Sequence, residues 1–564
     1  MPEQAHKGLD DGLTDYGDRG FARYLRRSFA ASMGYTRDTL DRPVVGIADS
    51  TSGYNNCHRH FPELLEAVKR GVMLAGGLPL VFPTISLGEA FLTPTSMKFR
   101  NLMSMDVEEM IRAQPMDAAV LVGGCDKTVP AQLMGAISAG KPVIQLVAGP
   151  MMTGRYEGER LGACTDCRRY WARHRAGEVS AIRIQSIEGN LATTAGTCAV
   201  MGTASTMACI AETMGLVLPG TAAIPAVHAD RLRAAEETGK RAVQLARDRA
   251  TPDRFVTPKS VENGLRMLLA VSGSTNAIVH LTAIAGRAGI RIDLAQLNRL
   301  SETTPVLVDL KPTGEHYMED FHAAGGVPAV LRELQGLLHR DCETVSGLTI
   351  GEIIEAAPAW KDPRVIRDFA TPLRPDGGLL GLSGSLAPNG ALIKRAAADA
   401  RLFEHEGRAV VFDNLADLAA RIDAADLDVH ADDVLVLRNA GPVAAGMPEA
   451  GYLPIPAKLA RQGVQDMLRI SDARMSGTAY GTVVLHVSPE AARHGPLALV
   501  RSGDRIRLSV AGRRLDLLVD EAELARRRAA LPPLSPQAAR GYSALYERHV
   551  TQAEDGCDFD FLRA

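Results

Sequence analysis

The chain is poor in cysteine, with eight in 564 residues, poor in aromatics at 5%, and has no excess of either charge, 63 Lys and Arg standing against 66 Asp and Glu. So few cysteines exclude a disulfide-stapled scaffold; in a reducing compartment they are expected as thiols, metal ligands or packing residues. A formal net charge of -3 excludes the broad basic footprint that nucleic acid or an anionic membrane requires. No apolar run approaches the roughly 20 residues of a membrane span. The polar, acidic start from Met1 to Asp11 lacks the basic and apolar blocks of an export signal. A cytoplasmic protein acting on a small molecule is expected. Also missing is any GxGxxG or GxxxxGKS/T after the first three strand-like segments, which argues against a nucleotide-binding loop.

What the chain does have is length and apolar content. At 46% apolar, 564 residues exceed what one core organises, so two or three domains are expected. Short apolar runs first alternate with helical patterns: Pro43–Ala48 then Phe61–Ala75, Leu78–Ile85 then Ser96–Arg112, Ala118–Val122 then Ala131–Ala139, and finally Val143–Val147. This pattern predicts a parallel sheet covered on both faces, with ligands gathering beyond the carboxyl ends of its strands. Ala226–Arg249 reads as a charged helix and Val261–Gly286 as an apolar helical stretch. Pro, Asp and Gly crowd residues 357–378. Beyond them lie the strand candidates Arg408–Phe412, Asp433–Leu437, Thr482–Val487, Leu497–Arg501, Arg505–Val510 and Arg514–Val519. Ser502-Gly503-Asp504 and Ala511-Gly512 read as hairpin turns, and Glu521–Arg548 as a helical tail. The predicted fold is α/β: a parallel-sheet α/β domain over residues 1–370, then a mainly β, barrel-like domain with flanking helices over 371–564.

Three successive strand ends carry chemistry. Asp49 and Cys57 follow the first, Glu89 the second, and Cys125-Asp126-Lys127 the third. A thiolate selects iron-sulfur or zinc and a carboxylate selects magnesium or calcium, while Gly123 and Gly124 let backbone approach a ligand closely. Cys198 stands at a Gly-rich entry to an apolar helix, where the helix dipole favours a thiolate. Cys57, Cys125 and Cys198 read either as buried thiols or as cluster ligands. Three thiolates leave one iron position open, whereas an electron-carrying cluster normally takes four cysteines. Cys164-Thr165-Asp166-Cys167 is half of a zinc site with no second pair at a suitable spacing, and reads as structural. His58 and His60 are given no role.

Seven motifs in order resemble those of the iron-sulfur dehydratases of dihydroxy acids and sugar acids. They are Gly123-Gly124-Cys125-Asp126-Lys127-Thr128, Ala195-Gly196-Thr197-Cys198, Gly202-Thr203-Ala204-Ser205-Thr206-Met207, Gly273-Ser274-Thr275-Asn276-Ala277, Leu386-Ala387-Pro388-Asn389-Gly390, Gly446-Met447-Pro448-Glu449 and Asp472-Ala473-Arg474-Met475-Ser476-Gly477-Thr478. Ser86-Leu87-Gly88-Glu89 and Arg100-Asn101-Leu102 are similar to the branch that acts on pentonates such as L-arabinonate or D-xylonate. The resemblance implies a [2Fe-2S] cluster on Cys57, Cys125 and Cys198. It implies Mg2+ on Glu89, Asp126, Glu449 and a carbamylated Lys127, with Ser476 as the base at C2. A homodimer or homotetramer is implied too. The implied reaction is dehydration of an aldonate to its 2-keto-3-deoxy acid. Two alternatives stand beside it: dihydroxy-acid dehydration in branched-chain amino-acid synthesis and, in another class, an iron-sulfur electron-transfer or redox-sensing protein.

Overall fold

Ala118–Gly123 contains no polar side chain, and all six of its residues are buried, as a strand covered by helices on both faces requires. It is the third of four parallel strands, β1 (Val44–Asp49), β2 (Leu78–Pro83), β3 (Ala118–Gly123) and β4 (Val143–Val147), in the order β2-β1-β3-β4. The register sets Asp49 beside Pro83 and Val122, and Gly123 beside Val147, so the carboxyl ends share one edge. This computed structural model describes residues 6–13, 15–534 and 537–564. Helices Phe61–Leu74, Ser96–Ala113 and Thr128–Ala139 make the crossovers. The first lies against Ala229–Asp248 so closely that a Cβ on Gly71 would meet the Glu236 carbonyl oxygen at 1.9 Å, and only glycine fits there. A small hairpin, β5 (Gly154–Tyr156) and β6 (Glu159–Leu161), follows the sheet.

The second sheet has eight strands: β7 (Leu380–Leu382), β8 (Gly390–Ile393), β9 (Glu404–Phe412), β10 (Val434–Leu437), β11 (Arg469–Ser471), β12 (Val483–Ser488), β13 (Arg505–Ser509) and β14 (Arg514–Leu517). Their order is β14-β13-β9-β10-β11-β12-β8-β7. The four central strands, β9 to β12, are parallel, and the flanking ones antiparallel. The two edges meet where Ser383 bridges Arg514 and the Leu515 amide donates to the Ser383 carbonyl at 3.0 Å. This nearly closes the sheet into a barrel around Ile393, Ile470, Val484, Ile506 and Leu515, all 0% exposed.

Several segments differ from the sequence reading. Leu497–Arg501 is no strand: Pro496–Leu499 is a 3-10 turn, since Pro496 fixes φ and offers no amide to a ladder. Ser502-Gly503-Asp504 therefore joins no hairpin. Val261–Gly286 is two helices, Pro258–Ala270 and Asn276–Arg287, parted by a break in which Ser272 takes a φ of 47°. The tail is likewise divided into Glu521–Ala529 and Gly541–His549, with Pro532 and Pro533 between them. Strands β5 to β8 and β11 match no strand expected from sequence; each is only three or four residues long.

Residues 556–558 return to the α/β part. Arg100 donates to the carbonyls of Gly556 at 2.7 Å and Cys557 at 2.8 Å. Arg287 pairs with Asp558 at 2.6 Å with both side chains at 0% exposure. No helix among the described residues is long and apolar enough to cross a membrane.

Candidate active site

The loops after β1 and β3 are tied together by a histidine. Asp49 is spent on its own turn, accepting from the Thr51 amide at 2.8 Å, and Cys57 sits in the 3-10 turn Asn56–His58 that follows. His58 Nδ1 lies 2.8 Å from the Ser50 carbonyl oxygen, and Nε2 accepts from the Cys125 amide at 2.9 Å. A carbonyl only accepts and an amide only donates, so the proton sits on Nδ1 and the ring is neutral. Burial pushes its pKa down to about 4, consistent with that state. His58 thus positions Cys125, a role that neighbouring Cys57 in the sequence did not reveal.

Cys57 is among the neighbours that push up the thiols of both Cys125 and Cys198. Cys198 lies outside the helix Thr203–Thr213, which corrects the expectation that a helix dipole acts on it directly. Its loop is pinned instead to the end of β4: the Thr197 amide donates to Gly149 at 3.0 Å and the Met151 amide to Thr197 at 2.8 Å. Cys164, in the CxxC pair read as structural, has its Sγ 3.8 Å from Cys198 Sγ and so stands beside the sulfur group. Hydrogen bonding to a neighbouring thiol, reinforced by burial, pushes Cys125 and Cys198 well above the ordinary thiol value. Hydrogen bonds from Cys167 and Cys198 push Cys164 the other way, and grouped sulfur donors suit a soft metal, so the sulfur set fits an iron-sulfur cluster.

The oxygen set converges on Lys127, which is 0% exposed. Its Nζ is 3.0 Å from Glu89 Oε2, in close contact with Asp126 Oδ2, and 3.8 Å from Glu449 Oε1. Arg474, equally buried, completes the group, with Nη1 2.9 Å from Glu449 Oε1 and Nη2 3.3 Å from Glu89 Oε1. Burial raises the Glu89 carboxyl, but the charges of Lys127 and Arg474 outweigh it and hold the group down at about 2. Burial, with Glu89 beside it, pushes Glu449 up. Three carboxylates facing two cations leave one negative charge. The hard oxygens suit magnesium, yet the ammonium of Lys127 stands among them where a divalent ion would need room. A carbamate on Lys127 would replace that positive charge by another hard oxygen donor, and the set then fits the ion. Arg474 went unassigned in sequence because it lies inside a motif whose serine drew the reading.

Residues 474–478 join the two sets. Ser476 is 8% exposed; its Oγ is 2.9 Å from Thr478 Oγ1 and accepts from the Thr478 amide at 3.4 Å. Gly477 is required by proximity, since a Cβ there would come within 2.7 Å of both Ser274 and the Thr203 amide. Thr203 and Ser274 share a 2.8 Å hydrogen bond, and Asn276 Nδ2 donates to Thr203 Oγ1 at 3.0 Å and to Glu449 Oε1 at 3.4 Å. On the sulfur side, Thr165 Oγ1 donates to the Thr478 carbonyl at 3.0 Å. The turn therefore carries an arginine against the carboxylates at one end and a threonine beside the thiol-bearing segment at the other.

Comparison with known proteins gives a concordant picture. The dihydroxy-acid/6-phosphogluconate dehydratase N-terminal family model matches residues 42–353, and its C-terminal counterpart matches residues 364–557. A 6-deoxy-6-sulfo-D-gluconate dehydratase of Pseudomonas putida is 47% identical, over 100% of this chain and 98% of its own. An L-arabinonate dehydratase of Rhizobium leguminosarum bv. trifolii is 45% identical, over 97% of this chain and 95% of its own. A dihydroxy-acid dehydratase of Carboxydothermus hydrogenoformans is 39% identical, over 96% of this chain and 98% of its own.

Proposed function

Because the chain belongs to the dihydroxy-acid/6-phosphogluconate dehydratase family, we propose that it removes water from an aldonic acid, with a pentonate such as L-arabinonate or D-xylonate the leading substrate, and yields the 2-keto-3-deoxy acid. The observation that carries this reading is the turn 474–478, which sets one serine between a carboxylate–lysine group and a thiol group. When bound, a [2Fe-2S] cluster on Cys57, Cys125 and Cys198 would supply a Lewis acid for the departing C3 hydroxyl, and Mg2+ on Glu89, Asp126, Glu449 and carbamylated Lys127 would hold the substrate carboxylate.

The residues around these groups have their own tasks. Ser476 Oγ takes the C2 proton, with the Thr478 amide and hydroxyl stabilising the alkoxide form. Arg474 holds Glu89 and Glu449 in their shared orientation and offsets their charge. Asn276 Oδ1 is buried without a hydrogen-bond partner beside Glu449, a place suited to a substrate hydroxyl. His58 fixes the backbone of Cys125. A cytoplasmic location and assembly as a homodimer or homotetramer belong to the same proposal, and light scattering reads the latter.

The test is incubation of anaerobically purified protein with a panel of aldonates, a sulfo-sugar acid and 2,3-dihydroxy-isovalerate, with assay for 2-keto-3-deoxy product. Turnover of aldonates supports the reading. Exclusive turnover of 2,3-dihydroxy-isovalerate would instead place the enzyme in branched-chain synthesis, and turnover of none would end the proposal.

A further inference from the structure

The CxxC pair read as structural from sequence stands beside the sulfur set, and its position is specific. Cys164 Sγ lies 3.8 Å from Cys198 Sγ, and Cys57 is among the neighbours that act on the Cys125 thiol. Two thiolates bound to one tetrahedral first-row metal ion through bonds of about 2.3 Å lie roughly 3.8 Å apart. The Cys164–Cys198 separation is 3.8 Å. With Cys57 and Cys125 on the other iron, such a pair would complete a fully thiolate-bound [2Fe-2S] cluster. The Cys167 thiol donates to the Cys164 carbonyl at 2.9 Å and also neighbours the Cys164 thiol. Thr165, next in the chain, bonds to Thr478, so Cys164 also borders the turn that carries Ser476.

We propose that Cys164 is a fourth thiolate ligand, sharing with Cys198 the iron that Cys57 and Cys125 do not hold, and that a substrate hydroxyl takes its place. The inference rests on the cluster reading above. In the exchange an iron–sulfur bond gives way to an iron–oxygen bond, the thiolate keeping its electron pair. Held in this way, the resting site presents no open iron to oxygen or to small anions.

Mössbauer spectroscopy of the full-length protein, reconstituted anaerobically with 57Fe and sulfide and kept free of substrate, tests this. Wild type is expected to show two irons with superimposed doublets, since both have four sulfur ligands. Cys164→Ser and Cys164→Ala should each split the signal into two doublets, and adding an aldonate that the enzyme turns over should do the same to wild type. Two distinct irons in substrate-free wild type would overturn the proposal, a reading that needs no variant to fold. So would variants whose spectra coincide with wild type. If wild type retains neither iron nor sulfide, the cluster reading itself fails, an outcome separate from two unlike irons in an intact cluster.

Discussion

The two sheets serve the site by the same rule but display it differently. In the α/β part, Cys57, Glu89 and residues 125–127 each follow a parallel strand, β1, β2 and β3, whose ends are in register. In the C-terminal sheet, Glu449 follows β10 and residues 474–478 follow β11, again at the carboxyl ends of parallel strands. There the parallel strands are three or four residues long apart from β9 and β12, and antiparallel partners flank them. In both sheets the candidate site residues thus gather where parallel strands end together, whatever the rest of the sheet does.

Variants can break this comparison or sharpen it. The sulfur end is the harsher test: Cys125→Ser should abolish both turnover and bound iron, and retention of full iron content would remove Cys125 from the ligand set. Ser476→Ala, on the C-terminal side, should cut kcat by about 10²- to 10⁴-fold while leaving iron content and melting temperature unchanged. A Ser476→Ala enzyme with near-normal kcat would move the base elsewhere. Arg474→Met removes a buried partner from two carboxylates and should cost about 3–5 kcal/mol of stability, read by denaturant unfolding. If magnesium restores that stability, the loss lies in the carboxylate group rather than in the barrel.

The smallest effect concerns Glu212 in the helix Thr203–Thr213. Burial raises its carboxyl from 4.5 to about 7, against the amides of Gly220 and Ala222, which donate to it at 2.7 Å. The folded state therefore binds this proton more tightly than the unfolded chain does. Its contribution to stability is complete below pH 4.5 and is lost as pH rises through about 7. The melting temperature of wild type relative to Glu212→Gln should accordingly fall between pH 5 and pH 8, and a difference that stays flat would contradict the shift.

Much of this was legible in the sequence for a physical reason. Strands β1, β3 and β4 are nearly continuous apolar runs that are almost wholly buried, β2 is an apolar run at the sheet edge, and the crossovers have helical period, so patterning outlines all four. The thiols and carboxylates of the candidate site could be singled out because Cys and paired acids are scarce in such settings. Arg474, His58 and Cys164 were not, because their significance is a matter of distance: Arg474 matters through Glu89, which is far away in the chain, and Cys164 through Cys198. The strand expected at Leu497–Arg501 shows the converse, a run apolar enough for a ladder but opened by a proline that cannot join one.

The return of residues 556–558 to Arg100 and Arg287 bears on how the molecule is made. On the ribosome the first sheet can assemble long before those residues emerge, yet Arg100 and Arg287 lack these partners until they arrive. Completion of the first half therefore waits for residues 556–558, and a chain cut short before Gly556 would lose these contacts to Arg100 and Arg287.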